Sequence, residues 1–186
     1  MIGTRTALTD DPSLDARRSD GSRFTKQPLR VVMGRREIPE SYRIRGLAAE
    51  GPYDPDRFLQ VFTHDPSELL STLYDRGVRH LMIEGGPGMV GLFAGEDLVD
   101  EMIWYRAPLL LGHGKSAVYR LSTGTLANAP RLHLDDLGMF PAVRVLGADT
   151  ATHLVPVPRG DYQNPGARRV LERCTECYAP EPREDG

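Results

Sequence analysis

The feature that most constrains the fold is a glycine-rich stretch midway along the 186-residue chain, His80–Phe93. A short apolar run, Leu81–Ile83, precedes the pattern G-x-G-x-x-G at Gly86–Gly91. This order predicts a buried strand, a tight turn and the start of a helix. Glycines let the backbone approach an anion, and a helix N-terminus offers unpaired N–H groups, so the turn is a candidate phosphate site. A strand-to-helix connection without a ligand would use the same residues.

Apolar runs on both sides of this turn predict further strands. The runs are Leu29–Met33, Leu59–Phe62 and Met102–Ala107. A helix is predicted from about Pro66 to Arg76, with Asp65 or Thr63 as its N-cap and Gly77 as its stop. Strand, helix, strand, glycine turn and helix in that order predict a mainly parallel sheet of β-α-β units. Ligands gather at the carboxyl ends of such strands, so Glu84 would direct its carboxylate into the same crevice.

The C-terminal part of the chain predicts a different arrangement. Arg131–Leu134 and Ala142–Leu146 are expected to pair as an antiparallel hairpin that finishes the sheet. From Asp149 onward prolines and charges dominate. We therefore expect one domain over residues 1–148 and a C-terminal extension over residues 149–186, partly disordered over Ala179–Gly186.

Charge and hydropathy restrict the partners that the chain is expected to have. Lys and Arg number 23 against 26 Asp and Glu, a formal net charge of −3, so no general basic surface favours nucleic acid or an anionic membrane. No run approaches the roughly 18 apolar residues that span a bilayer, and the first residues lack the layout of a signal peptide. These features favour a cytoplasmic protein.

Other common kinds of site find little support in the sequence. The histidines are widely spaced, so no metal site is expected: they are His64, His80, His113, His133 and His153. Cys174 and Cys177 form a single C-x-x-C, for which a structural or incidental role is expected rather than a zinc or redox site. A Rossmann domain would place the glycine motif after its first strand and an acidic residue at the end of the next. Here that strand ends Tyr105–Pro108, and no serine lies in a G-x-S-x-G elbow.

Five short segments occur in a fixed order over about the first 147 residues. They are Thr6–Arg17, Gln27–Val32, Ile83–Gly86, Leu98–Glu101 and Ala107–Gly112. Their order and spacing resemble the reductase domain of the bifunctional riboflavin-biosynthesis deaminase/reductase family. The resemblance implies a dihydrofolate-reductase-like α/β fold, with a mixed, mainly parallel sheet and flanking helices. It also implies NADPH-dependent reduction of 5-amino-6-(5-phosphoribosylamino)uracil to its ribityl form, and a homodimer.

The resemblance assigns roles to individual residues. Thr6 and Asp10, from the family's T-x-x-x-D-D-P motif, would contact NADP, whereas Leu14, Arg17 and Glu84 would contact substrate. A guanidinium such as that of Arg17 can grip a phosphate with two hydrogen bonds and stays charged at any working pH. The NADP-binding loop corresponds to Gly86, Pro87, Gly88, Met89, Val90, Gly91 and Leu92. No residue is assigned as the proton donor.

The chain departs from the family pattern at two places. A strand, a helix and a second strand normally precede the threonine motif, and none precedes Met1, so the domain would lack its first strands. Where the family usually has aspartate and serine after the strand that begins Gln27-Pro28, this chain has Gly34 and Arg35. Arg35 could meet the 2′-phosphate of NADP, or it could simply be exposed. Two alternatives therefore stand beside the reductase: a non-catalytic nucleotide-binding remnant or partner subunit, and a reductase for another pyrimidine- or pteridine-like substrate.

Overall fold

A computed structural model describes residues 1–46, 57–119, 121, 129–135 and 141–157. The chain divides into two compact units, which are described separately below. The first comprises residues 1–99 and 109–128, and the second comprises residues 100–108 and 129–186.

The first unit is built on a parallel sheet. Its strands are β1 (Ile2–Gly3), β2 (Arg30–Met33) and β3 (Phe58–Val61), in the order β1-β2-β3. In this register Gly3 lies beside Met33, and Met33 beside Val61, so the three carboxyl ends are level. The parallel sheet and the two strands predicted near residues 30 and 60 are confirmed, whereas β1 was not anticipated.

The predicted strand Leu81–Ile83 is only partly realised. The Met1 nitrogen donates to the Met82 carbonyl at 2.6 Å, and the Glu84 N–H donates to the Met1 carbonyl at 2.9 Å. This is the bonding of a parallel pair, but it extends over a single residue and no regular strand forms. The prediction of a buried strand is wrong, because the run alternates: Leu81 and Ile83 pack against the core, whereas Met82 is 62% exposed.

Three helices belong to the first unit: α1 (Thr4–Asp10), α2 (Pro66–Asp75) and α3 (Pro87–Gly95). A short 3-10 turn covers Arg43–Arg45. Buried side chains form a separate cluster on each face of the sheet, because neighbouring strand residues point to opposite faces. One cluster contains Met1, Val31, Met33, Val61, Leu69, Leu73 and Phe93. The other contains Ile2, Ala7, Val32, Ile38 and Ile44.

Helix α2 begins and ends as the sequence predicts. The Asp65 carboxylate accepts hydrogen bonds from the N–H groups of Ser67 at 2.8 Å and Glu68 at 3.4 Å. Gly77 adopts a φ of +81° just beyond the helix, a conformation that glycine reaches at little cost. Thr63, the alternative cap, instead donates to the Glu68 carboxylate and accepts from the Asp65 N–H, so it supports the cap.

We expect Asp65→Ala to lower the free energy of unfolding by about 1 kcal/mol, because two N–H groups at the start of α2 lose their acceptor. Urea denaturation followed by circular dichroism measures the change. Ser71→Ala, an exposed substitution within the same helix, is the control and should leave stability unchanged or slightly raised. Equal stability of Asp65→Ala and the wild type would contradict the capping role.

The described part of the second unit is an antiparallel sheet in which three strands pair with a fourth. Its strands are β4 (Met102–Arg106), β5 (Leu132–Leu134), β6 (Val143–Leu146) and β7 (Asp149–Pro156). β4 pairs with β7 along one edge, while β5 and β6 pair with successive parts of β7 along the other. The predicted pairing of Arg131–Leu134 with Ala142–Leu146 is wrong, because both segments pair with β7 instead. Gly147 (φ +66°) and Ala148 connect β6 to β7, and β5 also pairs with β7 rather than with β6.

Strand β7 lies in the region that was predicted to be a C-terminal extension. Asp149–Pro156 was assigned to an extension beyond residue 148, yet it is the strand to which the other three of this unit are paired. Half of its eight residues are polar, and only Ala151 and His153 are buried among them. The remainder of the predicted extension, with Cys174 and Cys177, lies outside the described residues. Within the described ranges, no helix has the length and apolar character needed to cross a membrane.

Candidate functional site

The candidate site lies in the first unit, where the parallel strands end. β1 leads directly into α1, β2 leads into Gly34 and Arg35, and the Leu81–Ile83 run leads into Glu84 and the glycine turn. Carboxyl ends of parallel strands are the usual ligand-binding edge of an α/β sheet. The structure therefore gathers the predicted cofactor residues Thr6, Arg35 and Gly86 at one edge.

Two glycines of the turn, Gly85 and Gly88, differ in how closely other atoms surround them. A Cβ on Gly85 would lie 2.4 Å from the Cβ of Met89, so a glycine is required there by packing alone. A Cβ on Gly88 would meet nothing within 4 Å. Gly86 is the N-cap of α3, and its carbonyl accepts from the N–H groups of Met89 at 2.9 Å and Val90 at 3.3 Å.

The N-terminus of α3 has the properties of an anion site. Pro87 occupies the first turn and has no N–H, and no acidic residue lies in that turn. The Gly88 N–H has no hydrogen-bond acceptor among the residues that the structure describes. An unpaired N–H at the positive end of a helix dipole favours a negatively charged group.

Helix α1 faces this turn. A Cβ on Gly86 would lie 3.9 Å from the Thr6 hydroxyl oxygen, so these two predicted cofactor residues are neighbours. Thr6 and Asp10 are four residues apart on α1 and therefore lie on the same side of the helix. The T-x-x-x-D spacing thus has a structural reason that requires the helix, which the sequence did not predict.

Two of the other predicted loop residues have packing roles of their own. The Met89 side chain contacts Gly3, with its sulfur 3.5 Å from where a Gly3 Cβ would lie. Gly91 is buried next to backbone atoms of Tyr119 and Leu121, and an added Cβ there would lie 1.8 Å from the Tyr119 carbonyl oxygen. The Tyr119 N–H also donates to the Pro87 carbonyl at 2.9 Å. The side of α3 that carries Gly91 is therefore covered by the chain itself.

Arg35 belongs to a loop that is fixed through its backbone. The Gln60 side-chain amide donates to the carbonyls of Gly34 at 3.1 Å and Arg36 at 2.7 Å, and its oxygen accepts from the Ile38 N–H at 3.3 Å. Arg35 itself is exposed. Sequence analysis did not identify Gln60, although a polar residue inside the β-branched and apolar run of β3 is a signal that could have found it.

The predicted substrate residues lie on two segments that the described contacts do not join. Leu14 packs against the cluster around Ile2 and has a φ of +48°, an unusual conformation for a bulky residue. Arg17 lies in the exposed loop that follows. Glu84 is exposed at the start of the glycine turn, and no hydrogen bond or ion pair links it to Arg17 within the described ranges.

A charge cluster around Asp15 was not anticipated. Its carboxylate accepts hydrogen bonds from Ser13 Oγ at 2.8 Å, Arg17 Nε at 3.0 Å and Arg23 Nε at 2.5 Å. Partial burial opposes ionisation of Asp15, but the hydrogen bonds from Arg17, Ser13 and Arg23 outweigh it and lower its pKa from 3.8 to about 2. Asp15 therefore stays ionised throughout the neutral and mildly acidic range.

This lowered pKa gives the stability a specific pH dependence. Because the pKa of Asp15 is depressed in the folded state, its contribution is complete above pH 4 and is lost as the pH falls toward about 2. The two arginine side chains are 52% and 34% exposed, so solvent screens the interaction, and we expect about 1 kcal/mol. Urea unfolding of the wild type and Asp15→Asn should show a difference at pH 6 that narrows by this amount at pH 2. A constant difference would contradict the ionisation of Asp15 as its cause.

No cluster of three or more metal-ligating side chains occurs among the residues that the structure describes. His153 is buried on β7, with Nδ1 2.6 Å from the Asp135 carbonyl oxygen and Nε2 3.4 Å from the Glu101 carboxylate. It lies in the second unit and serves as an internal contact of that sheet.

Comparison with known proteins shows which family carries this arrangement. The model of the RibD C-terminal domain matches residues 1–141. The riboflavin biosynthesis protein RibD of Mycobacterium tuberculosis is 37% identical over 155 residues, which are 83% of this chain and 41% of that protein. The 2,5-diamino-6-ribosylamino-4(3H)-pyrimidinone 5′-phosphate reductase of Archaeoglobus fulgidus is 33% identical over 138 residues, covering 60% of this chain and 62% of the relative.

A solved structure of Acinetobacter baumannii RibD shares the fold, with a TM-score of 0.65 and 29% identity over 84% of this chain and 46% of that one. This likeness confirms the predicted dihydrofolate-reductase-like α/β fold. The chain thus spans less than half the length of the RibD proteins that it matches. With three quarters of its residues matched by the family model, the chain belongs to the RibD C-terminal domain family.

Proposed function

We propose that this chain catalyses the NADPH-dependent reduction of 5-amino-6-(5-phosphoribosylamino)uracil to its ribityl form in riboflavin biosynthesis. The observation that carries the proposal is the α3 N-terminus, where the Gly88 N–H is unpaired within the described residues, a Cβ on Gly88 would meet no atom within 4 Å, and Thr6 lies beside the neighbouring Gly86. Membership of the RibD family and the reductase name of the Archaeoglobus relative support the reaction class.

The residues at this edge fit a dinucleotide phosphate. The Gly88 N–H and the helix dipole would hold the pyrophosphate, while Thr6 and Asp10 would contact the cofactor from α1. Main-chain groups of the loop Gly86–Leu92 complete the proposed contact. Arg35 would provide a positive charge for the 2′-phosphate, which distinguishes NADPH from NADH. The feature that fits the phosphate is the N-terminus of α3, which carries no acidic residue in its first turn.

Bound NADPH would supply the hydride that reduces the sugar carbon of the opened, imine-like substrate, and the nitrogen would take up a proton. The contribution of this chain is orientation. Arg17 would hold the substrate phosphate, Leu14 would provide an apolar contact, and the Glu84 carboxylate would accept hydrogen bonds from the substrate or stabilise positive charge on the imine. No side chain is assigned as the proton donor.

A second substrate deserves a direct comparison. The Archaeoglobus relative is named for a 2,5-diamino pyrimidinone phosphate, which differs from the uracil substrate in its ring. Both molecules carry the ribose phosphate, so Arg17 would serve either one. Steady-state kinetics with both compounds will therefore show which pyrimidine ring this chain prefers.

To test the proposal, purified protein is titrated with NADPH. It is then mixed with each pyrimidine phosphate while NADPH oxidation is followed. We expect binding of NADPH and turnover of the uracil compound with the higher kcat/KM. Preference for the diamino compound would assign the chain to the second reaction. Binding without turnover, or the absence of both, would leave the non-catalytic alternative. A parallel titration with NADH tests the contribution proposed for Arg35.

Gly88→Ala separates cofactor binding from stability. The added Cβ meets no atom within 4 Å, and alanine favours a helix, so stability should be unchanged or raised by up to about 1 kcal/mol. The same methyl group would project into the space proposed for the pyrophosphate, and we expect the Kd for NADPH to rise about tenfold. Fluorescence titration measures the affinity. Unchanged affinity would place the phosphate elsewhere.

We also propose that the protein acts as a homodimer in the cytoplasm, as its family resemblance implies. Exposed apolar side chains on the second unit, including Leu134 at 57% and Val145 at 75%, support an interface between copies. Light scattering across a range of protein concentrations should give twice the mass of one chain. A constant monomer mass would contradict the dimer, and cell fractionation tests the location.

A further inference from the structure

The region after Leu14 is a small hairpin that brings two arginines together. Arg17 and Arg23 are paired opposite one another as an antiparallel bridge. Backbone hydrogen bonds flank this pair, from the Arg18 N–H to the Ser22 carbonyl at 2.7 Å and from the Phe24 N–H to the Ala16 carbonyl at 3.1 Å. Residues opposite each other in an antiparallel pair point to the same face, so both guanidinium groups lie on one side of the hairpin.

The hairpin is held in place from both ends. The Gln27 side chain accepts from the Ala16 N–H at 2.8 Å and donates to the Ala16 carbonyl at 3.1 Å, fixing one strand to the entrance of β2. At the turn, the Asp20 carboxylate accepts from both the N–H and the hydroxyl of Ser22. Arg18 lies over the Phe24 ring at 4.6 Å and donates to the Arg23 carbonyl. These contacts therefore hold the backbone of the two paired arginines in place.

Like charges directly opposite each other destabilise a strand pair, so the arginine pair needs an anion. Asp15 provides one, through Nε of each guanidinium. A single carboxylate leaves these three side chains with one net positive charge. The carboxylate is only 12% exposed, whereas the arginine side chains are 52% and 34% exposed. The negative group is thus covered and the positive groups face solvent, which is the arrangement of a surface that receives an anion.

We infer that Asp15 is a positioning residue that sets Arg17 and Arg23 side by side as a clamp for the substrate phosphate, with Arg23 as its second guanidinium. Each guanidinium carries five N–H donors, so a bond to Asp15 through Nε does not exhaust it. Two guanidinium groups offer the paired N–H donors that phosphate oxygens accept, and the net positive charge of the cluster attracts an anion. This inference rests on the proposed function, because it names further residues of the same substrate site.

Steady-state kinetics with the phosphorylated substrate and its dephosphorylated riboside test the clamp. Arg23→Gln should raise KM for the phosphorylated compound about 10- to 100-fold, the loss of a charge-assisted hydrogen bond, while kcat and the KM for the riboside stay unchanged. Lys26→Gln removes the same charge from an exposed position on the same segment and is the matched control. An unchanged KM in Arg23→Gln, or an equal loss with both substrates, would overturn the role of Arg23.

Asp15 is tested by comparing Asp15→Asn with Asp15→Glu. Asp15→Asn should raise KM for the phosphorylated compound as Arg23→Gln does, without changing the KM for NADPH, and Asp15→Glu should restore most of the loss. A fall in kcat, a weaker NADPH interaction, or no rescue by glutamate would indicate a merely structural residue and overturn the positioning role. The rescue and the comparison between substrates remain informative even if Asp15→Asn is less stable.

Failure of the proposed reaction is distinguishable from failure of the clamp. If the wild type does not oxidise NADPH with either pyrimidine phosphate, calorimetric titration with ribose 5-phosphate still measures phosphate binding directly. Binding by the wild type that weakens at least tenfold in Arg23→Gln, but not in Lys26→Gln, supports the clamp. No binding, or equal binding by all three proteins, overturns it.

Discussion

Gly91→Ala should lower the free energy of unfolding by about 3 kcal/mol, although replacing a helical glycine by alanine normally stabilises a protein. An alanine Cβ at this position would lie 1.8 Å from the Tyr119 carbonyl oxygen and 2.9 Å from its carbonyl carbon. Both atoms belong to the backbone, so they cannot move aside by a change of rotamer. Either the helix or the backbone at Tyr119 must shift, and the hydrogen bond from the Tyr119 N–H to the Pro87 carbonyl would be strained or lost.

Gly95→Ala is the matched control for this substitution. Gly95 is the last residue of the same helix, and its added Cβ would approach only the tip of Leu121 at 3.9 Å. This variant should be as stable as the wild type or slightly more stable. Chemical denaturation of the three proteins compares them directly. If Gly91→Ala were as stable as Gly95→Ala, the Tyr119 carbonyl would not lie against Gly91 of α3.

Glu84→Gln should reduce kcat/KM for the pyrimidine phosphate about 10- to 100-fold while leaving the Kd for NADPH unchanged. The substitution keeps the shape of the side chain but removes its charge, and hydrogen bonds to charged groups contribute about 1.5–3 kcal/mol. Glu84 precedes the glycine turn and is exposed at the carboxyl end of the run paired with Met1. Its backbone N–H makes that pairing, which the substitution leaves intact.

The matched control is Glu96→Gln, which neutralises an exposed carboxylate immediately after the other end of α3. It should change neither kcat/KM nor NADPH affinity. A Glu84→Gln enzyme with full activity would remove Glu84 from the substrate site. A loss of NADPH affinity as large as the loss of kcat/KM would instead assign Glu84 to the cofactor.

Helix α2 shows what the sequence could establish about the fold. Its start is specified by Asp65, its end by Gly77, and its buried side by Leu69 and Leu73, all within about a dozen neighbouring residues. These signals are local, so they can be read without knowing the rest of the fold. The parallel strands β2 and β3 were predictable for the same reason, because each is a short apolar run between turn residues.

The elements that were missed depend on distant parts of the chain. Helix α1 has Gly3 as its N-cap, without a side-chain cap. The residue that it contributes to the buried cluster around Ile2 is the small Ala7. Half of the residues of strand β7 are polar, and its place in the sheet follows from pairing with three other strands. Neither periodicity nor capping reveals such an element, because its stability comes from tertiary contacts.

The candidate site was predictable in part. The motif residues Thr6 and Gly86, 80 positions apart in the sequence, do lie close together. The pairing of Arg17 with Arg23 was missed because the segment was taken for an exposed loop. Asp20-Gly21 lies midway between the two arginines, and this dipeptide is a recognised hairpin signal that would have placed them opposite each other.

The Gln60 amide holds one loop through its main chain rather than through its side chains. Its three hydrogen bonds go to main-chain groups of residues 34–38, so the loop keeps its course whichever residues occupy positions 35 to 37. Arg35, Arg36 and Glu37 are exposed and can be exchanged at little cost in folding energy. Substitutions at these three positions can therefore change the charge at this edge without rebuilding the sheet beneath.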